Sequence, residues 1–309
     1  MKHFINLKDI PSKDLRKIII DAKKRKNERK KLSNLEVDKG NPLKGKLLIQ
    51  MFEKSSLRTR LSFYLAIKQL GGSTLTLRAD ELHLSKGGES IEDTAKILSN
   101  FGNAFMLRTD NDKKLEEFKK YLSIPIINGL SPSSHPTQVL SDIFTVEEIK
   151  KKSISKMNIT WIGDSNNVLN SLIAASIKFN FKLNIGCPKN YQPHKNILSY
   201  IKDNKNKIFL FHDPKKAVAG TDVIFSDKVI SMNDKVNKVE KLRHFKEFKI
   251  NKKLMSFAKK DCIFLHCLPR GKEVDEKVFS SKQSKVWQQA HNRIHVQKSI
   301  LLYCFGKLR

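Results

Sequence analysis

The sequence predicts an α/β fold: two doubly wound domains with mainly parallel sheets, joined by helices. Three observations carry that expectation. Short apolar runs suited to buried strands alternate with longer amphipathic segments suited to helices, as crossover-connected parallel strands require. The alternation restarts after the polar run Lys150-Lys151-Lys152-Ser153. At 309 residues the chain has length for two domains of ordinary size. The expected division is 1–150, then 151–287, with a terminal helix over 288–309.

Ile10-Pro11-Ser12 is a helix-start signal, and the helix is expected to run to about Leu32. Lys46-Leu47-Leu48-Ile49-Gln50-Met51 reads as a buried strand, and Leu61, Phe63, Leu65, Ala66 and Leu70 as the next helix, ended by Gly71-Gly72. Residues 73–78 alternate like a strand, and 80–88 form a polar loop. Ser90 caps a helix around Ile91–Leu98. Ala104–Leu107 is a strand, residues 113–122 a helix, and Ile124–Ile127 a short strand. Pro125 cannot donate to a ladder, so that strand is expected either to pair only beyond it or to lie at an edge. The turn-rich stretch Asn128–Ser134 leads to His135, which opens a helix through about Lys150. In the second half, strands are expected at 159–163, 182–186, 208–211, 222–226 and 263–266. A helix follows Asn166-Asn167, a long polar connection covers Lys228–Lys249, and the last helix spans about Gln288–Tyr303.

In open parallel sheets ligands gather outside the carboxyl ends of strands. The turn FEKSSLRTRLSF over 52–63 falls at such an end. A helix start offers unpaired N–H groups and a positive dipole end, and Arg58 and Arg60 add forked cationic donors. This reads as an oxyanion site, with phosphate as the first choice. The alternative is an ordinary cap by Ser55 or Ser56 beside two solvated arginines. Arg108, His135, Asp164–Asn167, Asp227 and the loop His266–Pro269 all fall at strand ends as well. Gln138 shares a helix face with His135, a neutral donor–acceptor pair suited to a carbonyl or amide. Taken singly, each residue has a plain structural role: His135 a cap, Cys267 a buried thiol, Asp227 a turn former, Arg293 a solvated charge.

Lys and Arg number 60 against 31 Asp and Glu, a formal charge of +29. The lysines are spread along the chain with little aromatic interleaving, so a nucleic-acid partner is not expected. The densest basic run, residues 23–31, reads as the solvated face of the first helix. Cys187, Cys262, Cys267 and Cys304 are scattered without metal-ligand spacing, and the lack of a G-x-G-x-x-G motif makes a Rossmann cofactor a poor reading. No signal-like or membrane-spanning segment is evident, and a cytoplasmic protein with reduced thiols is the expectation.

Together the motifs resemble the aspartate/ornithine carbamoyltransferase family, ornithine branch, in the same order along nearly the whole chain. They are S-x-R-T-R at 56–60, Leu107-Arg108-Thr109, His135-Pro136-Thr137-Gln138, Gly163-Asp164-Ser165-Asn166-Asn167, Asp227 with Ser231-Met232, His266-Cys267-Leu268-Pro269 and Asn292-Arg293-x-His295. The resemblance implies a carbamoyl phosphate-binding domain at 1–150 and an ornithine-binding domain at 151–287. Its terminal helix would pack back on the first domain. It implies no cofactor and a homo-oligomer, a trimer or a multiple of trimers. Ser56, Leu57, Arg58 and Thr59 match the positions that cradle phosphate. Arg108, His135 and Gln138 match those that hold and polarise the carbamoyl group. Cys267, Leu268 and Arg293 match further carbamoyl phosphate contacts, and Arg108, His135, Cys267 and Arg293 are the expected catalytic set. Asn167, Asp227, Ser231 and Met232 match the ornithine contacts, and His83 stands where a residue often reaches a neighbouring subunit's site.

The implied reaction is attack by the side-chain amine of L-ornithine on carbamoyl phosphate, with Cys267 positioning substrate and not acting as nucleophile. Leu57 replaces a usual Thr and removes one hydroxyl from the cradle. Lys228-Val229, Asn233, His291 and the short loop after Pro269 also depart from the family pattern. These departures leave open a different amine substrate or a weakly active, diverged paralogue.

Overall fold

The computed structural model describes residues 1–78, 88–230 and 237–308. Its contacts divide into two compact units, Met1–Phe144 with His291–Arg309, and Thr145–Ala290.

In the first unit, β1 (Leu47–Phe52), β2 (Ser73–Arg78), β3 (Ala104–Arg108) and β4 (Ile126–Leu130) form a sheet of order β2-β1-β3-β4. All pairings are parallel. The helices are α1 (Ser12–Glu28), α2 (Leu57–Gln69), α3 (Ile91–Phe101), α4 (Asp112–Tyr121) and α5 (Pro136–Lys150), the last continuing into the second unit. β1, β3 and β4 are buried along nearly their whole length, as the strands of parallel sheets usually are. Phe105, Phe118, Leu107 and Leu98 lie in one core cluster, with the rings of Phe105 and Phe118 5.1 Å apart. β4 starts one residue after Pro125 and ends the sheet order, and Phe4 bridges it at Ile127. Its run to Leu130 takes in Asn128 and Gly129, which the sequence assigned to a loop.

In the second unit, β5 (Asn158–Ile162), β6 (Lys182–Gly186), β7 (Ile208–Phe211), β8 (Val223–Ser226) and β9 (Ile263–His266) form an all-parallel sheet of order β7-β6-β5-β8-β9. The helices are α6 (Asn167–Phe179), α7 (Lys195–Asp203), α8 (Pro214–Val218), α9 (Lys238–His244), α10 (Lys252–Met255), α11 (Glu276–Phe279) and α12 (Val286–Cys304). α12 begins in this unit and continues into the first. At Gly186 an added Cβ would come within 2.5 Å of Ile162 Cδ1 and 2.9 Å of Ala217 Cβ, so a side chain there would push α8 off the sheet.

Further sequence expectations are corrected. The first helix ends at Glu28 and not near Leu32. Arg29 turns its guanidinium onto Glu36 O at 2.8 Å and Asp38 Oδ1 at 2.6 Å, and it also meets Ser33 O. These bonds hold a turn that replaces the last helical residues. The basic run is therefore only partly solvated. Arg25 pairs with Asp21 at 2.8 Å, and Lys26 donates to Asn292 at 2.7 Å. The connection after Lys228 is not continuous loop either: it contains α9, whose Lys241 is buried against Asp164.

Lys298 of α12 is fully buried and donates to both Asp38 oxygens, at 2.9 and 3.2 Å. The carboxylate thus serves Lys298 and Arg29 at once. Removing it strands a buried cation, which typically costs about 3–5 kcal/mol. Asp38→Asn is accordingly expected to lower unfolding free energy by roughly that amount, read from urea titrations of variant and parent.

Candidate active site

The order β2-β1-β3-β4 means that the chain leaves β1 toward one side and returns for β3 on the other. The carboxyl ends of β1 and β3 therefore flank a crevice. Ser56 follows β1 as the N-cap residue of α2, in extended conformation, and its hydroxyl makes no capping bond. That answers the alternative raised by the sequence: Ser56 is not an ordinary cap. Its Oγ instead accepts from Arg108 Nη1 at 3.1 Å, across the crevice from the end of β3. The first-turn N–H groups of α2 keep their donor capacity and their dipole. Leu57 is 70 % exposed, so at this position the backbone is the part available to an anion.

Four further residues complete the cluster. Thr59 is buried on α2, and its Oγ1 accepts from Arg293 Nη2 at 2.7 Å. Arg293 Nη1 donates to Gln138 Oε1 at 2.8 Å, so one guanidinium of α12 ties α2 to α5. Gln138 Nε2 in turn donates to Asp142 Oδ1 at 2.8 Å. His135, just before α5, is buried, and burial together with Arg293, Arg108 and Arg58 holds its imidazole well below the ordinary range. It is therefore neutral at pH 7, able to donate from one ring nitrogen without adding charge. Burial and the neighbouring Arg58 push the Arg108 guanidinium down to about 10, still a cation. Arg108 Nε is a buried donor with no partner among the described residues. Such a group is costly unless water or a ligand meets it.

Upstream, Asn128 sets the loop that delivers His135. Its Nδ2 donates to Ser134 Oγ at 2.9 Å, Ile5 O at 3.1 Å and Ser131 Oγ at 3.3 Å. Glu53, directly after β1, meets Thr109 Oγ1 and Lys114 Nζ, and its N–H donates to Arg108 O at 2.9 Å. These contacts lock the two crevice walls together.

The second unit repeats the arrangement. In β7-β6-β5-β8-β9 the switch falls between β5 and β8. Gly163, at φ +149°, makes the turn after β5; its backbone conformation, and not lack of space, excludes a side chain. Asn166 caps α6, accepting from Val168 N and Leu169 N at 3.0 and 3.1 Å. Its Nδ2 donates to Asp227 Oδ2 at 2.9 Å, across the switch. Burial raises the Asp227 carboxyl, while His266, the Lys228 N–H and Asn166 oppose the rise. Asn167 is the first residue of α6, half-buried beside that pair. Asp164 is paired with the buried Lys241 at 2.5 Å.

Cys267 and Leu268 follow β9. Cys267 is buried, and Leu268 adopts φ +56°, a strained value for a branched residue. Leu268 N donates to His266 Nδ1 at 2.9 Å, which places the ring proton on Nε2, donated to Glu273 Oε1 at 3.1 Å. Glu273 also accepts from Gly271 N at 2.5 Å and Val229 N at 3.4 Å. The His266–Glu273 pair thus shapes the loop carrying Cys267.

Ser56, Arg58, Thr59, Arg108, His135, Gln138 and Arg293 gather in the first unit; Asn167, Asp227, Cys267 and Leu268 lie in the second. His83, Ser231 and Met232 lie outside the described residues. The sequence reading passed over Asp142, Glu53, Lys241 and Glu273 as site components. Asp142 had a signal in its i, i+4 spacing from Gln138. Lys241 had none, being one lysine in a lysine-rich stretch. Among the described residues no cluster of His, Cys, Asp or Glu is arranged to hold a metal ion.

The family model described as "Aspartate/ornithine carbamoyltransferase, carbamoyl-P binding domain" matches residues 2–148. Its companion, the "Asp/Orn binding domain", matches residues 155–304. Ornithine carbamoyltransferase of Agrobacterium fabrum is 40% identical, over 99% of this chain and 98% of that one. The protein of that name from Ruthia magnifica is 42% identical, over 98% and 99%. The fold is similar to ornithine carbamoyltransferase from Pyrococcus furiosus, with TM-score 0.90 and 37% identity, covering 97% of this chain and 96% of that one. It is also similar to the anabolic ornithine carbamoyltransferase from Campylobacter jejuni, with TM-score 0.88 and 36% identity, covering 99% and 100%.

The buried histidines carry a pH prediction. Burial holds His135 below its ordinary value near 6.5, and burial with Lys298 takes His295 to about 2. Below pH 6.5 the unfolded chain gains protons at both residues that the folded chain does not. Stability is therefore expected to fall as pH falls, by up to about 1.4 kcal/mol per pH unit for each histidine. Urea titrations between pH 7.5 and 5.5 measure the slope, and His295→Asn should flatten it.

Proposed function

The chain belongs to the aspartate/ornithine carbamoyltransferase family, and from that premise we propose that it transfers the carbamoyl group of carbamoyl phosphate to L-ornithine. The products are L-citrulline and phosphate, a reaction of arginine metabolism. The observation that carries the reading is the cationic cradle at the start of α2. There Arg58, Arg108 and Arg293 stand around a neutral His135 and the hydroxyls of Ser56 and Thr59.

We assign carbamoyl phosphate to residues 1–150 and ornithine to 151–287, with 288–309 supplying Arg293. Phosphate sits on the α2 N-terminus with Ser56, the Leu57 backbone, Arg58 and Thr59. Those donors stabilise the charge that grows on phosphate as it leaves. Arg108, His135 and Gln138 hold the carbamoyl group. In the reaction the side-chain amine of ornithine, deprotonated to its neutral form, forms a bond to the carbamoyl carbon. A tetrahedral oxyanion develops, and Thr59, Arg108 and the N–H of neutral His135 meet it. The oxyanion then re-forms the carbonyl as the carbon–oxygen bond to phosphate breaks, and the departing phosphate takes the proton that the nitrogen gives up. A neutral imidazole suits this role: it polarises the carbonyl without competing with the arginines for the phosphate. Asn167 and Asp227 receive the amino-acid end, and an ionised Asp227 pairs with the α-ammonium group. Ser231 and Met232 are assigned to ornithine on the sequence match alone. Cys267 and Leu268 position substrate. Away from those positions, burial pushes the Cys187 and Cys262 thiols up to about 12.

A homotrimer, or a multiple of trimers, is the assembly we assign. Its support is an exposed apolar stripe on α2, Leu57, Leu61 and Tyr64 at i, i+4 and i+7, with Leu75 exposed on the terminal strand β2. His83 is then the candidate for a residue offered to a neighbouring subunit. A cytoplasmic location is supported by four cysteines that form no disulfide. Among the described residues no helix is long and apolar enough to cross a membrane.

Citrulline formation with ornithine, putrescine, N-acetylornithine and aspartate side by side tests the substrate, and ornithine should be the productive one. Arg58→Ala should nearly abolish turnover with an unchanged circular dichroism spectrum; near-normal turnover would remove the phosphate assignment. Asp227→Asn should raise the KM for ornithine about 10- to 100-fold, the range of a lost charge-assisted hydrogen bond, and leave that for carbamoyl phosphate nearly unchanged.

A further inference from the structure

Asp142 lies one helical turn beyond Gln138 on α5 and is 1 % exposed. A carboxylate can accept hydrogen bonds but not donate them. By accepting from Gln138 Nε2 at 2.8 Å, it decides which end of that amide faces which way. The amide oxygen is thereby left to Arg293 Nη1, at 2.8 Å, and the same guanidinium reaches Thr59 Oγ1 at 2.7 Å. The relay Asp142–Gln138–Arg293–Thr59 joins α5, α12 and α2: Arg293 donates one way to Thr59 and the other way to Gln138, which donates on to Asp142, each donor facing an acceptor. It also sets a buried anion against a cluster otherwise rich in arginine.

We propose that Asp142 is a positioning residue for the carbamoyl site, acting through the Gln138 amide to hold Arg293 and Thr59 in register with the carbamoyl group. This rests on the assignment of carbamoyl phosphate to that cluster. Asp142 touches no substrate in this arrangement. Its effect comes from removing the two-fold ambiguity of an amide, whose flipped form would turn an N–H toward Arg293, a group with donors only.

The test is Asp142→Asn, the same shape with the acceptor-only character lost. Its KM for carbamoyl phosphate should rise and its kcat fall, together costing roughly 10- to 100-fold in kcat/KM, while the KM for ornithine stays near that of the parent. Because the residue acts through Gln138, the double variant Asp142→Asn/Gln138→Leu should be no worse than Gln138→Leu alone. Parent-like constants for carbamoyl phosphate in Asp142→Asn, an equal rise in both KM values, or additive losses in the double variant would each overturn the proposal. Should Asp142→Asn not fold, Asp142→Ser is measured against the same criteria. If the parent itself forms no citrulline, the reaction assignment fails by itself. Calorimetric titration of carbamoyl phosphate into parent and Asp142→Asn then decides: weaker binding by the variant supports the positioning role, and equal affinity overturns it.

Discussion

Both units depend on one topological constraint. A parallel sheet whose strand order reverses leaves two neighbouring strands with their following segments departing to opposite faces. The crevice between their carboxyl ends is the place where backbone donors and side chains from several loops can converge. In each unit a side-chain hydrogen bond crosses the switch: Arg108 to Ser56 in one, Asn166 to Asp227 in the other. The chemistry differs because the bridging residues differ. At one switch a guanidinium stands beside an uncapped helix start; at the other a carboxylate is held by a capping asparagine.

Arginines gathered this closely repel one another, and the fold offsets that repulsion with fixed acceptors. Arg293 gives its two ends to a hydroxyl and an amide oxygen, and the amide passes the interaction on to a buried carboxylate. The same field keeps His135 neutral, so the positive charge stays on groups that match phosphate. A second buried ion cluster fastens α12 beside the cradle, with Lys298 and Arg29 sharing Asp38. Part of the strongly basic composition is therefore spent inside the molecule.

The elements that build the sheets were legible because their signals are local. Apolar runs of five or six residues, turn residues after them and capping residues before helices place β1 through β9 and α2 through α6 close to where they stand. The candidate residues at strand ends were legible for a related reason: a parallel sheet tells the reader which end of each strand to search. The misreadings also share a cause. The first helix stops at Glu28 because Arg29 is captured by Asp38 and two carbonyls, and α9 forms in a polar stretch because Lys241 is anchored to Asp164. In each case a long-range ion pair overrides local propensity, and one charged residue among many carries no mark of its partner.

By itself, then, the sequence determined the alternation of strand and helix, the two parallel sheets and the residue types at the strand ends, since these follow from periodicity and turn chemistry. Tertiary structure alone decided what those residues became. Ser56 became an acceptor for Arg108 and not a helix cap, His135 a neutral imidazole, and Gln138 an acceptor for Arg293. Those outcomes depend on distances between atoms far apart in the chain and on the removal of water around them. Burial and a neighbouring charge set the protonation and direction of a side chain, and neither is written in its local sequence.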